Sequence, residues 1–332
     1  HWRQGDVVNI GQQMSHITRD IVTKTLFNAD VSAESQRIGE IIQVLQEMAY
    51  REMTSLIVLP DWLPHKRHEQ QAMHEIDTII HRIIAERRVS DNQDQGDLLS
   101  MLLLARDDNG QGMTDQEVRD EAMTLFIAGH ETTATALTWA WYLIATHPEV
   151  EAKLLVEVDA LGGKTLTFED VPKLSYTLQI FKETMRLYPP TWILSRQVAE
   201  PTELNGYPIK SGSLVHMFPF VLHRDPRFFD QPLKFDPERF APGREETITP
   251  YAYLPFGGGP RVCIGNSFAM MEVQLLMATI LQRYRLTLVP GQGEPELEPL
   301  IVLQPKGGIH MQLEPRNSSL IGAQSVLETV SR

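Results

Sequence analysis

Between Thr114 and Pro148 the sequence leaves room for one kind of structure. Thr114 and Glu117 form a capping box that opens a helix, and His147-Pro148 closes it. The roughly thirty residues between them would cross an entire domain, running about 45 Å. From Ala122 to Pro148 the only acid or base besides histidine is Glu131. A membrane span is disfavoured, because a central Glu131 beside His130 is costly in lipid and the segment is rich in threonine. A helix buried through the middle of a domain fits better. A carboxylate buried there needs a reason, since an unpaired charge in a core is expensive.

The stretch Phe256-Gly257-Gly258-Gly259-Pro260-Arg261-Val262-Cys263-Ile264-Gly265 holds the only cysteine in 332 residues. Its glycines and proline forbid a regular helix or strand, and the apolar run from Phe268 to Tyr284 that follows reads as a buried helix. Cys263 therefore sits in a tight loop ahead of a helix N-terminus, where backbone N–H groups and the helix dipole favour the thiolate. Three roles are open to it. It is a small buried hydrophobe, a nucleophile whose histidine base the sequence does not place, or a metal-ligating thiolate. The flanks bear on the choice: FGGGPRVCIG resembles the haem-ligand signature of the cytochrome P-450 family, in which Phe, Gly, Arg, Cys and Gly recur at this spacing and the thiolate holds the iron. By that resemblance Cys263 is the metal ligand of a haem b, Arg261 binds a propionate and Phe256 packs near the sulfur.

Three further segments fall in the family's order. Ala128-Gly129-His130-Glu131-Thr132-Thr133 resembles its oxygen-activation motif. The resemblance gives Ala128 and Gly129 a place beside the cofactor, at a gap in the helix, and makes Thr132 and Glu131 a catalytic proton relay. A zinc-protease helix is the rival for His130-Glu131, but it needs a second histidine four positions on, where Ala134 stands. Glu183 and Arg186 share a helix face and, followed by Leu-Tyr-Pro-Pro, resemble the family's Glu-x-x-Arg element. Pro237-Glu238-Arg239-Phe240 resembles the partner motif, which implies that Arg239 joins Glu183 and Arg186 in a charge network under the haem loop. Arg196 matches a propionate-binding position. Phe126, Ile127, Ala128, Trp192, Ile193 and Leu194 are the apolar pocket wall that the resemblance implies.

The rest of the chain reads as helices over 1–54, then an apolar, proline-broken connector at 55–64 where the family places a lid. A polar-faced helix at 65–89 carries His65, His68, His74 and His81, which fit a solvated face better than a metal site. A polar loop follows at 90–97, and later a helix at 173–188 stopped by Pro189-Pro190. Gly163-Lys164-Thr165 imitates the end of a phosphate loop, but Val158 stands where its first glycine belongs, and the segment reads as a turn. From Thr191 to Leu222, β-branched and aromatic residues with turns at Asn205-Gly206 and Lys210-Ser211-Gly212 predict a small sheet. A proline-rich meander spans 223–255, and short strands are expected near 286–289, 300–303 and 309–313.

The fold expected is mainly α with small β-sheets. It is a single cytochrome P-450 domain over 1–316 that enters after the family's N-terminal part, with haem between the long central helix and the cysteine loop. Residues 317–332 are expected to form a disordered tail. A net charge of −13 offers no basic field to a nucleic acid. One cysteine excludes an internal disulfide and suits a reducing, cytoplasmic compartment; no signal peptide or transmembrane helix is visible. The resemblance implies a monomeric monooxygenase that inserts one oxygen atom of O2 into a small hydrophobic substrate, lipid-like or terpenoid. Its electrons would come from a separate protein, a ferredoxin, flavodoxin or reductase. A peroxygenase or isomerase on the same scaffold, or a non-enzymatic haem carrier or sensor, are the alternatives.

Overall fold

In the computed structural model the described residues are 2–27, 41, 44, 48, 64–90 and 94–316. The helices are α1 (Ile10–Phe27), α2 (Pro64–Val89), α3 (Leu98–Leu104), α4 (Asp115–Thr146), α5 (Pro148–Asp159), α6 (Ser175–Leu187), α7 (Pro219–Leu222) and α8 (Asn266–Leu281). The strands are short: β1 (Val7–Asn9), β2 (Leu194–Gln197), β3 (Thr202–Leu204), β4 (Tyr207–Ile209), β5 (Leu214–Met217), β6 (Tyr284–Leu288), β7 (Leu297–Pro299), β8 (Leu303–Pro305) and β9 (His310–Pro315). The mainly helical expectation holds. Among the described residues no helix is long and apolar enough to cross a membrane.

The long helix is α4, with 32 residues and so a length of about 48 Å. Its capping box is closed in both directions: the Glu117 N–H donates to Thr114 Oγ1 at 3.2 Å, and the Thr114 N–H donates to Glu117 Oε2 at 2.7 Å. It ends where the sequence says it must, because Pro148 cannot continue it and instead starts α5.

The chain divides into two compact units, Met14–Ala134 and His1–Gln13 with Thr135–Arg332. In the first, Leu26, Ile76, Ile80, Leu99 and Phe126 belong to one buried apolar cluster. Beside it lies the one buried ion pair described in this unit: Arg87 forks onto Asp97 through two hydrogen bonds of 2.7 Å. Asp97 also caps α3 by accepting the Ser100 N–H at 2.8 Å.

In the second unit β1, β9 and β6 form an antiparallel sheet, with Val7 opposite Gln312 and Leu286 opposite Leu313. The tight turn expected at Asn205-Gly206 joins β3 to β4. Both residues have positive φ, 50° and 84°, which is the geometry a two-residue hairpin loop requires. Trp139 lies in the core, stacked on Tyr188 with ring centroids 4.1 Å apart, and its indole N–H donates to Leu303 O at 2.8 Å.

The structure departs from the sequence expectations in several places. Residues 7–9 are a strand rather than part of a helix, because the backbone of Gly5 and Asp6 pairs with Leu313 and draws Val7 and Val8 into the sheet. The strand expected at 300–303 is instead the turn between β7 and β8: Leu300 N–H bonds to Val302 O, and Val302 is buried. The turn at 210–212 does not pair β4 with β5, since β5 pairs with β2. The helical run through 38–48 falls largely outside the described residues. The apolar connector up to 63 and the tail 317–332 lie outside them entirely.

One ionisable core residue breaks the apolar pattern of α8. Glu272 is buried, and neither carboxylate oxygen has a hydrogen-bond partner among the described residues. Burial pushes its carboxyl up to about 8. The unfolded chain ionises near the ordinary glutamate value while the folded one stays protonated, so stability is full at low pH and is lost as pH rises toward and through 8. Glu272→Gln removes that dependence. Denaturant melts at pH 9 are expected to show the variant more stable than the parent by on the order of 3 kcal/mol, with the gap closing by pH 5; an equal gap at both values refutes the assignment.

Candidate functional site

The cysteine loop begins at Leu254, whose carbonyl accepts the Gly257 N–H at 3.1 Å. Gly257 and Gly259 have φ of 71° and 70°, a region that side chains avoid, so glycine is needed at both. A single 3₁₀ turn, Gly259–Arg261, follows. The loop closes when the Cys263 N–H donates to Phe256 O at 3.0 Å. Phe256 is thus tied to the cysteine through the backbone. Gly265 then caps α8, so the thiol lies two residues ahead of that cap. Cys263 is exposed, flanked by Val262 and Ile264 at 48% and 89% exposure. Apolar side chains held outward on a rigid loop form a surface suited to an apolar face.

Strand β2 runs beside this loop. A Cβ built on Gly257 would lie 3.9 Å from Leu194 Cδ1, and Arg196 shares the strand face of Leu194. Arg196 donates only to the carbonyl of Ser195, at 2.9 Å. Neither Arg196 nor Arg261 has a carboxylate at ion-pair distance among the described residues; Arg3, Arg19, Arg106, Arg224 and Arg283 share this, whereas Arg87, Arg186, Arg239, Arg285 and Arg316 each have one. Arg261 on the loop of the exposed thiol and Arg196 on the strand beside that loop are what a dianionic ligand edge would pair with.

The expected charge network is formed, and its Glu183–Arg186 pair is completely buried. Arg186 Nε and Nη2 donate to the two oxygens of Glu183 at 2.7 and 2.8 Å. Its remaining hydrogen bonds go to the carbonyls of His223, Pro232 and Lys234 at 2.8, 2.6 and 3.0 Å, so every N–H of the guanidinium is used. Arg239 Nε reaches Glu183 Oε1 at 3.3 Å, and the Asp236 N–H donates to the same oxygen at 2.9 Å. Burial pushes the Glu183 carboxyl upward, and Arg186 pulls it back.

The motif on α4 lies in the other unit. Thr132 Oγ1 donates to Ala128 O at 2.9 Å and Thr133 Oγ1 to Gly129 O at 3.3 Å. The helix stays α-helical throughout, so the expected gap is no break in it. Two successive hydroxyls instead compete for the carbonyls of Ala128 and Gly129, which favours a bend. Ala128 is exposed. At Gly129 the structure shows close packing, since a Cβ there would come 2.8 Å from Val22 Cγ2 of α1. The carboxylate expected to be buried is only partly so: Glu131 is 25% exposed. The buried member is His130. Its Nδ1 bonds to Phe126 O at 3.1 Å, its Nε2 lies 3.6 Å from Glu131 Oε2, and burial lowers its pKa. Phe126, placed in the pocket wall by the sequence, lies in the buried cluster of this unit.

The decoys are ordinary. Lys164 pairs with Asp170 at 2.7 Å, so it is committed to the turn that contains it. His74 and His81 are exposed, and no group of three metal-ligating side chains exists among the described residues.

An exposed soft sulfur donor, an apolar surround and two guanidiniums without acid partners among the described residues fit the donor set of a thiolate-ligated haem protein. The comparisons give that class its family. The Cytochrome P450 family model matches residues 2–312. Cyclooctatin synthase of Streptomyces melanosporofaciens is 41% identical over 87% of this chain and 64% of its own length. Cyclooctat-9-en-7-ol 5-monooxygenase of the same organism is 36% identical over the same shares. A crystal structure of the cytochrome P450DA heme domain superposes with a TM-score of 0.88 at 26% identity, covering 96% of this chain and 70% of that one. The chain belongs to the cytochrome P450 family, and membership implies a haem cofactor. It spans 64% of the length of those two curated relatives.

Proposed function

We propose that the protein is a haem-thiolate monooxygenase. The observation that carries this is the exposed Cys263 on its glycine loop, with Arg261 and Arg196 near that loop and without carboxylate partners among the described residues. A haem b held there supplies the activation of O2 and the transfer of one oxygen atom to a C–H bond. Cys263 Sγ would hold the iron as thiolate, and the loop that closes on Phe256 O holds the Cys263 backbone in place for it. Arg261 and Arg196 would pair with the propionates. Thr132 and Glu131 manage protons. The Thr132 hydroxyl is held by Ala128 O and keeps its lone pairs for a donor, while the partly exposed Glu131 exchanges protons with solvent.

The substrate in this reading is hydrophobic, lipid-like or terpenoid; one relative is named for 5-monooxygenation of cyclooctat-9-en-7-ol. Electrons in this reading come from outside these residues, from a ferredoxin, flavodoxin or reductase, since one cysteine cannot hold an iron–sulfur cluster within them. The same lone cysteine favours a reducing, cytoplasmic compartment.

Turnover of a terpenoid panel with a reductant and an electron-donor protein is expected to exceed turnover with peroxide; the reverse order favours a peroxygenase. Thr132→Ala is expected to lower product formed per reductant consumed by about tenfold or more, with peroxide released instead, while Thr132→Ser stays near the parent. Unchanged coupling in Thr132→Ala refutes the relay.

A further inference from the structure

His223 follows α7, is completely buried, and lies in the stretch that the sequence marks only as a meander. Its main chain and its ring serve different partners. The carbonyl accepts Arg186 Nη1–H at 2.8 Å, and ring Nε2 accepts the Leu254 N–H at 2.8 Å. Because Nε2 accepts, the ring proton resides on Nδ1, which faces the backbone of Met185 and Arg186 without closing a hydrogen bond. Leu254 lies in neither helix nor strand. Its carbonyl in turn accepts the Gly257 N–H and so starts the left-handed turn of the cysteine loop. One residue therefore joins the Glu183–Arg186 pair of α6 to the first hydrogen bond of the loop that carries Cys263. Tyr253 supports the same root: its ring centroid is 5.2 Å from that of His223, and its hydroxyl donates to Lys182 O at 2.9 Å.

We propose that His223 is a positioning residue for the cysteine loop, holding Leu254 N–H through ring Nε2 and so setting how Cys263 is presented. Burial, with the cations of Arg186 and Arg224 nearby, pushes the imidazole down to about 3. The acceptor is therefore neutral across the physiological range. Leucine at this position accepts nothing and leaves the Leu254 N–H without its partner. Glutamine can set an oxygen near the place of Nε2; the shorter asparagine cannot reach it.

The consequence for ligation rests on the haem-thiolate reading, but the positioning does not. The test is hydrogen exchange by mass spectrometry on the haem-loaded protein, with the reduced, carbon-monoxide-bound spectrum recorded in parallel. His223→Leu is expected to speed exchange across 254–263 by roughly tenfold, with α8 unchanged, and to shift the spectrum to a form without thiolate. His223→Gln should restore exchange to within about threefold of the parent and restore the spectrum. Unchanged exchange at 254–263, or an equal rise in α6 and α8, overturns the proposal. Faster loop exchange with an unchanged spectrum upholds the hold on Leu254 and overturns its consequence for how Cys263 is presented. Should His223→Leu not fold, the glutamine and asparagine variants decide: slower loop exchange with glutamine is expected, and equal or reversed rates overturn the proposal.

Discussion

Cys263→Ala abolishes the absorption band of the reduced, carbon-monoxide-bound thiolate haem and leaves the protein folded. Both halves of this expected result come from the loop. The side chain is exposed, so its removal opens no cavity, and the cost should stay within about 0.5 kcal/mol. The hydrogen bond that closes the loop is made by the Cys263 main chain to Phe256 O, and alanine keeps it. The loss is therefore specific to the sulfur. No second cysteine exists in the 332 residues to replace it. The measurement is the reduced, carbon-monoxide difference spectrum beside a thermal melt; a parental band in the alanine variant ends the assignment of Cys263.

Glu183→Ala has the opposite character: it costs the fold first and the site afterwards. It strands Arg186, which is completely buried, with its charge uncompensated. Breaking a buried pair from one side costs roughly 3–5 kcal/mol. The Asp236 N–H and Arg239 lose the same partner. Arg239→Ala is expected to cost less, because Arg239 is 10% exposed and its contact is the long one at 3.3 Å. Replacing Glu183 and Arg186 together by apolar residues does not rescue the site, since the carbonyls of His223, Pro232 and Lys234 would lose their shared donor. Denaturant unfolding of the three variants checks the order, and a Glu183→Ala loss below about 1 kcal/mol shows that the pair does not hold this region together.

What was legible in the sequence is what local rules control. The capping box of α4, its proline stop and the Asn205-Gly206 turn each follow from two or three adjacent residues, and each is where the pattern puts it. The Glu183–Arg186 spacing announced a pair, and Arg239 joined it through a motif recognised as a whole. What the sequence hid is decided by tertiary contact. Nothing local shows that Val7-Val8 would be drawn into a sheet by residues some three hundred positions away. The partners of His223 come from α6 and from the loop root, and no spacing rule links those segments. Glu131 looked buried because no other acid or base besides histidine stands between Ala122 and Pro148, but a helix side chain meets its own face, and the residue beside it, His130, is the one turned inward.

Arg186 gathers carbonyls from positions 223, 232 and 234, a stretch with little regular hydrogen bonding of its own. That stretch borrows its order from a helix far away in sequence. Backbone opening there should accordingly track the fraying of α6 rather than follow its own proline content, so that a loop and a helix behave as one cooperative unit in slow exchange and in resistance to proteases.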